Sequence, residues 1–225
     1  KNRFLGEEIR EEIIERIQML VLKYNIPIVL AEEYFLPVYY GLNFIDYGRK
    51  YFTFKKLMKL FEKPPLSTEQ VMHPEKYYRP DSIDKPTRLR VSELDKLFQK
   101  SDWSFKQREI IGEFGFYLWF RGKLEKEKSL MYSDGWGGDI TQHYENTKSS
   151  NYAVISFSTW DTIKEAADAF NGFYTYFGNL LGKSKMKIIK NEPNEYHISF
   201  AGFDLFLKSL NKNLLIVYGF ETDLT

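Results

Sequence analysis

Apolar residues first recur regularly over residues 6–24, where Ile9, Ile13, Ile17, Leu20 and Tyr24 fall at spacings of three and four. Ile14 and Val21 widen the stripe, so the segment predicts an amphipathic helix. Glu7, Glu8, Glu11 and Glu12 crowd its start as a solvated acidic face, and Lys23 near its end complements the helix dipole. Asn25 and Pro27 stop it. A second helix is predicted over 31–47, ending at Gly48. A third, over 54–62, starts from a Thr53 cap and turns Leu57, Leu60 and Phe61 inward. Residues 79–90, with two prolines and few apolar positions, read as a surface loop, and 92–99 as a short helix. A longer helix is predicted over 105–121, with Ser104 and Gln107 as a capping box and Gly122 as its stop.

After Lys128 the pattern becomes that of strands, at 140–145 and 152–157. A helix follows over 162–177, capped by Asp161 and ended by Gly178, with Ile163, Ala166, Ala167 and Phe170 on its inner face. Four more strands are predicted near 185–190, 195–200, 203–209 and 214–220, separated by turn-forming residues such as Glu192-Pro193-Asn194 and Asn211-Lys212-Asn213. The predicted fold class is α+β: a mainly helical subdomain over 1–128, then an antiparallel sheet with one covering helix, ββαββββ, over 129–225.

Composition narrows the classes. The chain has 225 residues, 43% hydrophobic and 17% aromatic, enough for a substantial core. With 32 basic and 31 acidic residues well interspersed, it lacks the basic face of a nucleic-acid binder. The absence of cysteine excludes disulfides, thiolate catalysis and Cys-ligated zinc, and together with the many charges would suit a thermophilic host. No apolar run approaches the ~20 residues of a membrane span, and no signal peptide is visible. The chain begins at Lys1, the expected mark of a processed or trimmed product, so the sequence leaves its compartment open.

The stretch Pro64–Tyr78, PPLSTEQVMHPEKYY, links the helical part to the rest. Its two leading prolines end the preceding helix, Ser67 with Gln70 forms a capping box, and Pro74 stops or restarts a short helix. His73 sits between these pieces, its ring nitrogens expected on loop backbone in preference to a catalytic role. In the predicted 105–121 helix, Gly112 and Gly115 each cost about 1 kcal/mol relative to alanine, offset by close approach of another backbone. Glu113 between them is a candidate buried carboxylate that needs a partner, in a structural salt bridge or backbone bond ahead of a role as catalytic acid.

Asp134-Gly135-Trp136-Gly137-Gly138-Asp139 is the best candidate site. Exposed amides in such a turn cradle an anion, whereas Asp134 and Asp139 together hold a cation. The plainer reading is a tight turn at a subdomain seam, with Trp136 as a buried plug and Asp139 bonding loop amides. His143 and His197 fall on predicted strands, and no histidine has a second His or carboxylate at zinc-site spacing. GxSxG, Walker and GxGxxG patterns are absent, so no catalytic residue is assigned.

PPLSTEQVMHPEKYY resembles a segment of uncharacterised gluzincin-like zinc metallopeptidase proteins. FLPVYYGLNFI (Phe35–Ile45), Gly112-Glu113 and GWGGD (Gly135–Asp139) follow the same pattern in the same order. WDT (Trp160–Thr162), before an alanine-rich helix, is a weaker fourth match. The resemblance covers roughly residues 35–175 and implies a peptidase whose HExxH metal motif lies further upstream. No HExxH occurs in these 225 residues. The chain is therefore expected to be the non-catalytic C-terminal portion of such a protein, without a cofactor of its own. Zinc would belong to an intact longer protein, and the partner would be the missing N-terminal segment or another protein. The alternative is a stand-alone structural module that binds a protein or small ligand without enzymatic activity.

Overall fold

Helix α1 runs over Arg3–Tyr24 and buries Ile13 and Ile17 from the predicted stripe. The computed structural model describes residues 3–90, 102–149, 151–182, 186–200 and 202–220; the predicted helix 92–99 lies outside them. Arg10 of α1 pairs at 2.8 Å with Asp46 of the helix that follows. Helix α2 spans Ile28–Tyr51, longer at both ends than predicted, with Pro37 inside it. Gly48 does not end it. The Tyr78 ring lies against this glycine, where an added Cβ would sit 2.5 Å from the ring's Cζ. The predicted third helix divides into α3, Phe54–Leu57, and a 3-10 turn, Met58–Phe61. Two short helices follow, α4 (Thr68–Met72) and α5 (Glu75–Tyr78). Phe44, Leu57 and Tyr78 form one buried cluster, the two rings 4.7 Å apart.

The chain divides into two compact units, Lys1–Pro86 with Glu113–Gly122, and Thr87–Gly112 with Lys123–Thr225. The first unit thus takes in a segment from the middle of the chain. The reason is helix α6, Gly112–Arg121: its Tyr117 hydroxyl and Arg121 guanidinium both bond Glu32 of α2, at 2.8 and 3.1 Å, which draws residues 113–122 into the first unit. Phe116, Tyr117 and Phe120 of this helix are fully buried.

The fold class is α+β. The second unit holds a seven-stranded antiparallel sheet in the order β1-β2-β3-β7-β6-β5-β4. The strands are β1 (Trp103–Glu109), β2 (Trp136–Asn146), β3 (Tyr152–Trp160), β4 (Lys187–Glu192), β5 (Glu195–Phe200), β6 (Phe203–Leu210) and β7 (Asn213–Phe220). From β2 onward the order is the predicted ββαββββ. Strand β1 is a correction, since residues 105–109 belong to a strand and the Ser104–Gln107 capping box does not form. Phe105 sits opposite Tyr144, and the helix begins only at Gly112. As an outer strand, β1 leaves Lys106, Gln107 and Arg108 exposed, so it lacks the alternation of a half-buried strand. Both outermost strands carry an irregularity in register, β1 between Phe105 and Gln107 and β4 between Ile188 and Lys190.

Helix α7 spans Lys126–Ser133 and α8 Ile163–Leu181. The cap of α8 is Thr162, whose hydroxyl accepts the Glu165 amide at 3.2 Å, and not the predicted Asp161. The helix also continues through Gly178; Gly182, with φ of 68°, ends it instead. Its Ala166, Ala169, Phe170, Phe173 and Phe177 are buried. Phe177 meets Phe203 and Tyr218, and Tyr174 meets Tyr196 edge-on, so α8 covers one face of the sheet. Among the described residues no helix is long and apolar enough to cross a membrane.

Candidate functional site

In the first unit, the stretch that opens with Pro64 and Pro65 folds around Ser67 and Gln70. The Ser67 hydroxyl accepts the Gln70 amide at 3.2 Å, and the Gln70 side chain accepts the Leu66 amide at 2.7 Å. Its amide group also donates to the Asp84 carbonyl, fastening α4 to the following loop. Pro74 then starts α5, and His73 lies between the two helices. The His73 Nε2 is 2.8 Å from Glu113 Oε1, a carboxylate 40 positions along the chain. His73 is partly exposed and Glu113 is buried. The Phe114 amide, next to Glu113, donates to the Thr68 hydroxyl at 3.2 Å.

Two further buried carboxylates lie in this unit, and the sequence reading singled out neither. Glu69 receives Lys76 Nζ at 2.5 Å, and the same ammonium lies 3.2 Å from Asp84. The second oxygen of Glu69 makes no hydrogen bond among the described residues. Burial pushes the Glu69 carboxyl up to about 7, helped by the Glu113 and Asp84 charges and held back by Lys76. Glu32 accepts from Tyr117 and Arg121. Burial, then the charge of Glu113, raises the Tyr40 hydroxyl to about 12, and burial followed by the bond to Glu32 raises Tyr117 further. Glu32 lies four positions before the buried Leu36, on the apolar face of α2, a signal readable in sequence. Glu69 carries no such signal.

In the second unit, Trp136 and Asp139 are brought together. Asp139 Oδ1 accepts from the Trp136 indole at 3.0 Å and from the Gly112 amide at 2.9 Å, while Oδ2 accepts from the Ile111 amide at 2.9 Å. Burial raises its carboxyl, and these three bonds oppose the rise. Trp136 is buried beside Trp160, opposite it in the sheet. Strand β2 starts at Trp136, so the predicted turn shrinks to Asp134-Gly135, with a φ of 75° at the glycine. Gly138 is pressed against Thr87, whose carbonyl oxygen would lie 2.4 Å from a Cβ, and the Thr87 amide bonds the Gly137 carbonyl at 2.7 Å. Asp134 is exposed at the end of α7, its amide on the Leu130 carbonyl.

His143 joins three strands. Its Nε2 lies 2.6 Å from Glu109 Oε1 on β1, and its Nδ1 lies 2.7 Å from the Tyr152 hydroxyl on β3. Within each unit these side chains are thus bonded to one another or to backbone, an arrangement that fixes the local fold.

Residues 103–207 match the family model of a Domain of unknown function (DUF8575). No curated protein matches the chain. The extracellular domain of PknH from Mycobacterium tuberculosis, a crystal structure, is similar to this chain at 10% identity and a TM-score of 0.38, over 63% of this chain and 90% of that one. A likeness of that degree assigns neither fold nor activity.

Proposed function

We propose that this chain is the non-catalytic C-terminal portion of a larger zinc metallopeptidase-like protein, whose fold it completes beside a substrate cleft. The observation that carries the reading is the free face of α2. Leu30, Tyr34 and Val38 recur every four residues on that helix and are 55%, 77% and 53% exposed. An apolar stripe of this kind marks a surface that another segment covers. The order of the motifs from Phe35 to Asp139 and the absence of HExxH support the same reading. So does the use of His73, Glu113 and Asp139 in internal bonds.

The test is to compare the 225-residue chain with a form extended upstream in its reading frame. Because the chain has no cysteine, Tyr34→Cys gives a single thiol to probe the α2 face. The extension should contain HExxH, bind one zinc and slow labelling of that thiol, whereas the shorter chain binds none and labels fast. An extension lacking HExxH, or labelling that stays equally fast, rejects the proposal and leaves the stand-alone binding module.

A further inference from the structure

The face of the sheet opposite α8 has a site of its own. Side chains alternate between faces along a strand. The α8 rings meet Tyr196, Phe203 and Tyr218, so His197, Asp204 and Gly219 belong to the other face. There the register sets Phe105, Tyr144, Ala153, Gly219 and Asp204 in one row across five strands. The next row holds Ile155, Val217, Phe206 and His197. In the middle of the first row, Ala153 and Gly219 offer almost no side chain, while larger groups stand on both sides.

The result is a cleft of about 330 Å³, floored by Ala153 and Gly219, with Trp103, Phe206, His197 and Asp204 around it. That volume suits a small ligand or a single side chain. The carboxylate of Asp204 is exposed and has neither ion pair nor hydrogen bond among the described residues. Aromatic faces attract cations through their quadrupole, and a lone carboxylate beside them supplies the counter-charge. An anion would meet the Asp204 charge unopposed.

We propose that this cleft binds an organic cation, an amine or guanidine, carried either by a free small molecule or by a peptide side chain. Trp103 and Phe206 provide the aromatic walls, Asp204 the charge and Ala153 with Gly219 the space. The site lies wholly within the second unit and stands independently of the metallopeptidase reading.

The test is an NMR titration of the 225-residue chain with agmatine, tetramethylammonium and, as the anionic control, acetate. Both cations should shift the Trp103 indole and Gly219 amide signals saturably, and acetate should not. Asp204→Asn should weaken agmatine about fivefold, the equivalent of an exposed charge pair of about 1 kcal/mol. Ala153→Leu fills the floor and should abolish the shifts while the thermal melt stays cooperative. Should that variant fail to fold, Trp103→Ala takes its place and should weaken both cations. A capped Gly-Gly-Arg-Gly-Gly peptide that binds more tightly than agmatine assigns the site to a peptide side chain; weaker binding assigns it to a free cation. Shifts that do not saturate, an equal response to acetate, or affinity unchanged in Asp204→Asn would overturn the proposal.

Discussion

Lys76 meets the buried Glu69 at 2.5 Å and forms its ion pair inside the first unit. The pair does not cancel the cost of burial, which lifts the Glu69 carboxyl from 4.5 to about 7. Between those values the folded protein holds a proton that the unfolded chain has released, so stability falls as pH rises. The contribution is complete below pH 4.5 and lost above about pH 7. Urea unfolding across this window should show a loss on the order of 1–3 kcal/mol that Glu69→Gln removes. An identical pH slope in the variant would refute the assignment.

Removing the imidazole from the pair that His73 makes with Glu113 leaves a buried carboxylate with less compensation. His73→Ala should therefore cost more in the parent protein than in a Glu113→Gln background. A coupling of about 0.5–3 kcal/mol is expected from a double-mutant cycle read by urea unfolding. Simple additivity would mean that the pair contributes nothing to the fold.

Trp136→Ala should destabilise by ~3–5 kcal/mol, the range for truncating a large buried ring. Asp139→Asn keeps the shape but turns an acceptor of three bonds into a mixed donor and acceptor, at a cost of about 1–3 kcal/mol. Thermal melts of the two variants check this. An unchanged midpoint in either one contradicts the packing described above.

Gly138→Ala should be harmful although the change is a single methyl group. Its Cβ would need to share space with the Thr87 carbonyl, a backbone atom that cannot rotate away. A loss of about 1–3 kcal/mol is expected, as for other overpacked sites. Amide exchange at Thr87 should rise at the same time, because its bond to the Gly137 carbonyl lies at the point of collision. Protection at Thr87 equal to that of the parent would count against the steric account.

What the sequence revealed followed from periodicity. Helix α1, helix α8 and strands β3, β5, β6 and β7 each bury one regular face, so spacing located them, whereas β2 is buried on both faces and β4, almost wholly exposed, was marked by the turn residues after it. Strand β1 was missed because, paired on one side only among the described residues, it leaves its later residues in water, and Ser104 with Gln107 imitates a helix start. Gly48 and Gly178 read as helix ends because a glycine's local preference is visible, while the ring of Tyr78 packed on Gly48 is not. Glu113 was legible as a carboxylate in need of company. Its partner His73 was not, since only the tertiary fold brings together groups 40 residues apart. Glu69 had no apolar pattern around it to betray its burial.

The broken registers of β1 and β4 have a consequence beyond the sheet itself. An outermost strand is a template on which a second copy can zip, and the exposed Ile188 and Ile189 would make β4 an adhesive one. Both rims are instead crooked at one residue and carry basic side chains beside the break, Lys106 and Arg108 on one and Lys187 and Lys190 on the other. Edge-to-edge growth toward a fibril would have to straighten a kink on each rim, so the broken registers oppose self-assembly through the outline of the sheet.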